Sequence, residues 1–284
     1  TDARITLRRD ARGGQHVRRA GEDAQRGERA IDAGVRLAPG HLALLATLDR
    51  IEVEVHARPR VTIVTTGDEL RDPGSPPRPG AVVDSNAPML AALVGRAGGR
   101  TEVRRVADTE GALAEALGAV ADTCDLIVTV GGAADGAHDH VQRALDARAA
   151  ERVFRGVAIK PGKPVALARI GALPVLALPG NPGSAFVTFA CIGLPLVRAL
   201  GGEAEPVRGR RRVRLAAPLR APGDRTALVL GTVEELPSAR FVPGRAASSG
   251  SVPSVARATA LALVEAGTTR AEGDEVAVID LARA

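Results

Sequence analysis

Two lysines stand among the 38 basic residues of this chain, and both fall in one short stretch, Ile159-Lys160-Pro161-Gly162-Lys163-Pro164. Arginine is the surface cation everywhere else. A compact ammonium supplies a point charge without the planar fork of a guanidinium, so Lys160 and Lys163 mark a place to hold phosphate or another oxyanion, unless they are two survivors of an Arg-biased composition. Thr65-Thr66-Gly67-Asp68-Glu69 offers the complementary chemistry. Its glycine lets backbone N–H groups approach a ligand, its hydroxyls can bond phosphate, and Asp68 and Glu69 can face a divalent cation or simply occupy an acidic first helical turn.

Three further polar segments follow apolar runs. Asp84-Ser85-Asn86 precedes a helical pattern and can cap it or present orphan N–H groups to an anion. Asp108-Thr109 repeats the arrangement. Gly131-Gly132-Ala133-Ala134-Asp135-Gly136-Ala137-His138-Asp139-His140 has the composition of a metal or acid–base loop. Its spacing matches neither HExxH nor a cysteine-containing zinc site, which leaves Asp135 or Asp139 assisting magnesium, or capping a helix. Leu178-Pro179-Gly180-Asn181-Pro182-Gly183-Ser184 is a constrained turn into a helix, either a rigid ligand wall or pure turn architecture. Ser184 has no GxSxG elbow around it. The chain also has no GxxxxGK[ST] loop and no early GxGxxG.

The elements that must position these groups can be read from periodicity. From Arg60 to Gly202 apolar strands alternate with helices: strands at 61–65, near Val103, at 126–130, 157–159, 165–168 and 175–177; helices at 87–97, 110–121, from His138 and over 184–200. Such alternation predicts an α/β fold with a central, mainly parallel sheet covered on both faces, and ligands beyond the carboxyl ends of its strands. Residues 1–59 read as a partial N-terminal linker or dimerisation module with a helix over 39–48 and a strand over 51–55. Beyond the Gly201-Gly202 break, residues 203–284 carry short valine-rich segments between turns and predict a small β domain resembling a barrel.

Composition sets the remaining bounds. The 284 residues, 45% hydrophobic, suffice for two or three domains. The formal charge of +5 is spread among acidic residues, and the chain has no Trp or Tyr and only four Phe, which argues against a nucleic-acid platform. Cys124 and Cys191 form no CxxC pair, so a reducing cytoplasm is expected. No apolar run is judged long enough for a bilayer, and no membrane partner is expected. The chain starts at Thr1 without Met, so a preceding region of the gene is expected to be missing.

Taken together, TTGDEL (65–70), DSN (84–86), GGAADGAHD (131–139), AIKPGKP (158–164) and LPGNPGSA (178–185) resemble molybdopterin molybdenumtransferase, the molybdenum insertase related to the gephyrin E domain. VRRAGEDAQRGE (17–28) and SSGSVPSVARATALALV (248–264) extend the resemblance to both flanks, which separates it from molybdopterin adenylyltransferase, a sharer of the central fold only. The resemblance implies a multidomain homodimer that transfers molybdenum from molybdate to adenylylated molybdopterin, with Mg2+ and release of AMP. Molybdopterin adenylyltransferase and molybdoenzyme acceptors are implied as partners. Glu69, Asp108 and Asp139 fall on acidic, metal-binding positions of the family cleft, Asp23 on one in the preceding module, and Lys160 and Lys163 on its basic loop. Thr65, Thr66 and Gly67 would cradle the pterin phosphate. Asp84, Ser85, Asn86, Gly131, Gly132, Asp135, Pro179, Gly180 and Asn181 would complete the cofactor cleft.

Three departures accompany the match. Ala134-Asp135 stands where the family's GGxSxG places a hydroxyl, Thr109 stands where many members carry a second Asp, and the DGYA-like acidic segment is absent. A dimeric molybdopterin-binding or scaffolding paralogue with impaired turnover is the alternative these departures motivate.

Overall fold

Pro39 opens helix α1 (Pro39–Thr47), where its missing N–H leaves no bond unmade, and the Leu- and Ala-rich run behind it supplies helix propensity. The His41 ring accepts the Ala38 amide at 2.9 Å and closes the first turn. Helix α1 belongs to the first of two units, Thr1–Glu54; the second is Val55–Ala284. The computed structural model describes residues 9–10, 12–132, 139–236, 238–244 and 250–281. The alternating run 51–55 forms no strand, because its residues are exposed and have no neighbouring strand to share a ladder.

Val61 to Thr66 are all buried, as a strand covered on both faces requires, and form the body of β1 (Arg60–Thr66). A two-stranded parallel ribbon follows, β2 (Leu70–Arg71) with β3 (Val82–Val83). Then come α2 (Asn86–Arg96), β4 (Arg100–Val106), α3 (Glu110–Val120), β5 (Leu126–Val130), α4 (His140–Ala147), β6 (Glu151–Arg155), β7 (Ile159–Lys160), β8 (Ala166–Ile170) and β9 (Leu173–Leu178). The central sheet runs β4-β1-β5-β9-β8-β6. β4, β1, β5 and β9 are parallel, whereas β9, β8 and β6 are antiparallel neighbours.

Side chains alternate across this sheet. Val61, Ile63, Leu126, Val128, Val130, Leu176 and Leu178 face α2 and the helices that follow β9, while Val64, Ile127, Val175 and Ala177 face α3 and α4. The expected multidomain α/β architecture, with helices on both faces of a mainly parallel sheet, is therefore present. Two details differ. The segment expected to be the next strand, 157–159, does not enter this sheet; its place at the edge is taken by β6, whose mostly exposed Glu151 to Arg155 carry little hydrophobic signal. The helical run starts at Pro182 and contains a π turn: α5 (Pro182–Thr188), Phe189–Gly193 in π conformation, then α6 (Leu194–Leu200).

The rest of the unit is β10 (Arg211–Leu215), β11 (Leu219–Arg220), β12 (Thr226–Glu234), β13 (Arg240–Pro243), α7 (Val252–Arg257), β14 (Ala260–Val264), β15 (Thr269–Arg270) and β16 (Glu275–Asp280). Strands β13-β10-β16-β14-β12 close on themselves through the β12–β13 pairing, giving a five-stranded barrel. Val213, Ala227, Phe241, Ala260, Ala262, Val264, Val276 and Val278 fill its interior. Alternate residues Leu228 and Leu261 point outward into the core shared with α2, α5 and α6. Strand β7 joins this barrel, not the central sheet: Ile159 and Lys160 pair in parallel with Thr226 and Ala227.

Against the expectation that no apolar run is long enough for a bilayer, the run 182–200 is the one helix among the described residues long and apolar enough to cross a membrane by length and composition. It is 67% buried inside the protein, between sheet and barrel, and serves as a core helix. Within it Gly193 has no room to grow. A Cβ there would enter the fully buried Phe189 ring, whereas one on the exposed Gly95 of α2 meets nothing within 4 Å.

Gly193→Ala is expected to destabilise the protein by about 1–3 kcal/mol through overpacking. Gly95→Ala should stabilise it by about 0.5–1 kcal/mol through helix propensity. Urea denaturation of the two variants checks both signs. A second expectation concerns acid. At the start of β1, Asp125 accepts the Arg60 amide at 2.8 Å and its guanidinium at 2.9 Å, and these bonds from Arg60 hold the carboxyl below its ordinary range. A depressed folded value contributes stability that is present above the unfolded carboxylate pKa of about 3.9 and is lost as pH falls through the folded value. The stability gap between wild type and Asp125→Asn should therefore be constant near neutrality and shrink below about pH 4.

Candidate functional site

The order of connections reverses between the parallel strands β1 and β5. The connection leaving β1 runs through α2 to β4 on one side, and the one leaving β5 runs through α4 to β6 at the opposite edge. Adjacent strands whose connections diverge leave a crevice at their carboxyl ends. Thr66-Gly67 and Gly131-Gly132 stand at that point, with Asp108 after β4 and Pro179-Gly180-Asn181 after β9. Four of the polar segments singled out in the sequence thus converge on one edge.

Contacts join them. Thr66 Oγ1 donates to Asp108 Oδ1 at 3.0 Å, and the Asp108 amide donates to Asp68 Oδ1 at 3.3 Å. Gly131 sits at φ +92° with the site of its absent Cβ on the Thr66 carbonyl oxygen. A Cβ on Gly132 would lie 3.0 Å from Thr66 Cγ2 and 3.2 Å from Asp108 Oδ1. One on Gly180 would lie 3.4 Å from the Gly131 Cα. Backbone here packs against backbone, which leaves amides close to the surface of the crevice.

The DSN segment is drawn to the same place. Asp84 Oδ1 accepts the Asn86 and Ala87 amides, both at 3.0 Å, and so caps α2 in place of Ser85, whose side chain makes no capping bond. Arg105 reaches the other Asp84 oxygen at 3.4 Å. Asn86 Nδ2 donates to the Gly180 carbonyl at 2.7 Å. Asn86 Oδ1 and Thr65 Oγ1 are buried polar atoms with no hydrogen-bond partner among the described residues. Such orphaned groups suit a polar ligand entering between the two strands.

The acidic residues divide by duty. Glu69 is exposed, its carboxyl folded back over Gly67. Asp108 is half-buried in the network just described. Asp139 is buried and doubly engaged: Oδ1 accepts the Gln142 amide at 3.0 Å as the N-cap of α4, and Oδ2 pairs with Arg155 at 2.9 Å. Among the described residues no three His, Cys, Asp or Glu side chains gather where they could share a metal ion. Glu69, Asp108 and Asp139 therefore do not make a preformed magnesium cage. Thr109 caps α3 by accepting the Ala112 amide at 3.3 Å. Asp23 lies in the other unit and pairs with Arg18.

Lys160 and Lys163 are exposed, and neither has an ion pair with another described residue. Their loop is fixed from below. Gly162, at φ +108°, packs where a Cβ would strike Thr188 of α5, and the Val157 amide donates to the Lys163 carbonyl at 3.0 Å. Asp135, expected in the cofactor cleft and as an aid to magnesium, lies outside the described residues. Sequence reasoning missed Arg105 and Arg155, the partners of Asp84 and Asp139. In a chain this rich in arginine, no local signal marks those two.

Comparison with known proteins gives this edge a family. Residues 62–199 match the model of the probable molybdopterin binding domain, residues 1–48 that of the MoeA N-terminal region (domain I and II), and residues 212–281 that of the MoeA C-terminal region (domain IV). The chain belongs to the molybdopterin molybdenumtransferase (MoeA) family. It is 37% identical over 227 residues to molybdopterin molybdenumtransferase 2 of Mycobacterium tuberculosis, covering 77% of this chain and 55% of the relative. It is 34% identical over 278 residues to the molybdopterin molybdenumtransferase of Nostoc, covering 94% and 63%. The crystal structure of a MoeA protein from Pyrococcus horikoshii superposes with a TM-score of 0.80 at 27% identity, covering 92% of this chain and 64% of that one. The chain thus spans somewhat more than half the length of these MoeA relatives.

Gly131 supplies the test of the crevice. Gly98 has the same φ of +92° but open space around its missing Cβ. Gly98→Ala should cost about 1–2 kcal/mol, the left-handed penalty alone. Gly131→Ala must add displacement of β5 from Thr66 to the same backbone penalty. It is expected to be clearly the more destabilising in urea denaturation; equal losses would remove the steric account.

Proposed function

We propose that this protein is a molybdenum insertase, transferring molybdenum from molybdate to adenylylated molybdopterin with release of AMP. The observation that carries the reading is the convergence of the TTGD, DSN, GG and PGN segments at the β1/β5 crevice, within a chain whose three parts match MoeA family models. Transferase chemistry on molybdopterin is the property of that family; the reaction's details and this chain's competence are our reading.

In this scheme the Thr66-Gly67 and Gly131-Gly132 amides and the start of α2 receive the anionic part of the pterin nucleotide, as helix starts and glycine turns do for phosphates. Lys160 and Lys163 hold molybdate or the phosphates as mobile point charges. As an oxygen of molybdate or water bonds to the adenylyl phosphorus and the P–O bond to the pterin phosphate breaks, negative charge grows on the departing pterin phosphate oxygen, and an ammonium nearby is worth more there than in the ground state. Asp108, held by Thr66, positions groups at the crevice floor. No covalent nucleophile is assigned.

A binding or scaffolding role is the second reading. It is favoured by the engagement of both Asp139 oxygens and by the use of Thr109 as a helix cap. The expected cytoplasmic homodimer, its supply by molybdopterin adenylyltransferase and its delivery to molybdoenzymes belong to the insertase proposal.

AMP release from adenylylated molybdopterin, followed on the full-length protein with and without molybdate, decides between the readings. Molybdate-dependent release with formation of molybdenum cofactor is expected; tight binding without release would favour the scaffold. Lys160→Ala and Lys163→Ala, at exposed positions, should each leave the fold intact and slow release by about a hundredfold, the scale of losing one charge-stabilising group. Unchanged release in both variants would remove the basic loop from the mechanism.

A further inference from the structure

A cavity of about 400 Å³ lies between the helical run after β9 and the outer face of the barrel, and no residue of the β1/β5 crevice lines it. One wall is the π turn, which contributes Ala190, Cys191 and Ile192; π turns are frequent where a helix has been locally reshaped for function. The opposite wall is made by outward-facing barrel residues, chiefly Leu228, Leu263 and Ile279. These side chains are apolar, and the volume is that of a small-molecule site.

The lining also carries charge. Arg198, Arg208 and Arg210 contribute to the lining, against a single carboxylate, Glu265. Glu203 holds Arg208 at 2.6 Å and approaches Arg198 at 3.9 Å, while Glu265 is engaged with Arg270 at 3.7 Å. Arg210 forms no ion pair or hydrogen bond with another described residue, and its charge reaches Cys191. An apolar chamber with one uncompensated guanidinium in its lining is complementary to a monoanion carrying a hydrocarbon body, because the planar fork matches a carboxylate.

We propose that this cavity is a second binding site, for a small monocarboxylate with an apolar body, its carboxylate on Arg210 and its hydrocarbon against Leu228, Leu263 and Ile279. The site goes beyond the insertase reading and does not depend on it. It shares Val157 and Ile159 with the strand and loop that lead to Lys160, so an occupant would lie directly behind the basic loop.

Isothermal titration of the protein with octanoate tests the proposal, with octanol as the uncharged control and acetate as the control without a hydrocarbon body. Octanoate is expected to bind saturably at one site, and both controls at least about tenfold more weakly, the scale of one charge-assisted bond or a few buried methylenes. Arg210→Ala, at an exposed side chain that should leave the melting temperature unchanged, should weaken octanoate by about tenfold. Cys191→Phe, which fills the chamber, should abolish binding. A double Lys160→Ala, Lys163→Ala variant should bind octanoate as wild type does, which keeps this result separate from the fate of the insertase reading. No saturable binding, equal binding of octanol, loss of binding in the double lysine variant, or binding that survives both Arg210→Ala and Cys191→Phe would each overturn it.

Discussion

The contact between Gly131 and the Thr66 carbonyl sets the terms for everything around it. A side chain at residue 131 would push β5 off β1 at the point where the two connections diverge. Because only hydrogen stands there, the two strand ends stay close enough for Thr66 to hold Asp108 and for Gly180 to stack on Gly131. Asn86 then reaches Gly180, bringing the start of α2 to the same edge. The chemistry-bearing segments are spread along the sequence, and one steric permission gathers them.

Below that edge, the barrel and the α/β layers share one apolar core. Leu228, Leu261 and Leu281 pack with residues of α2, α5 and α6, and Arg96 of α2 donates to the Leu281 carbonyl at 2.7 Å. The barrel uses both faces of its strands: small residues such as Ala260 and Ala262 fill its narrow interior, and larger ones such as Leu261 cement it to the helices. Removing the barrel would therefore expose core leucines instead of cutting a solvated linker.

The parts of the fold that were legible in the sequence are those with a strong periodic or steric signal. The buried runs of β1 and β5 and the helices α2 and α3 stand close to where periodicity puts them, because each is bounded by glycine or a polar cap. At the other edge β8 and β9 were legible as strands, but β6 and the antiparallel order of the three were not. β6 alternates around charged, mostly exposed residues, and β7 is two residues long with a partner far along the chain. The run 51–55 erred the other way, since alternation shows only that a segment is able to pair. For the crevice, residue types identified the segments and offered capping as one duty of Asp84, Ser85 or Asn86, but did not single out Asp84 or show that Asp139 would be held by Arg155. Those assignments depend on neighbours brought in by the tertiary fold.

The pairing of β7 with β12 has a consequence for how the chain is made. Ile159 and Lys160 leave the ribosome well before Thr226 and Ala227, so the basic loop must wait, unpaired on its outer side, until the barrel strand arrives. Its neighbours in the central sheet can assemble meanwhile, with β8 and β9 closing as a local hairpin. The outer side of the loop that carries both lysines is thus among the last parts of the α/β region to be covered, and a nascent chain stopped short of β12 would hold its cationic loop from the α5 side alone.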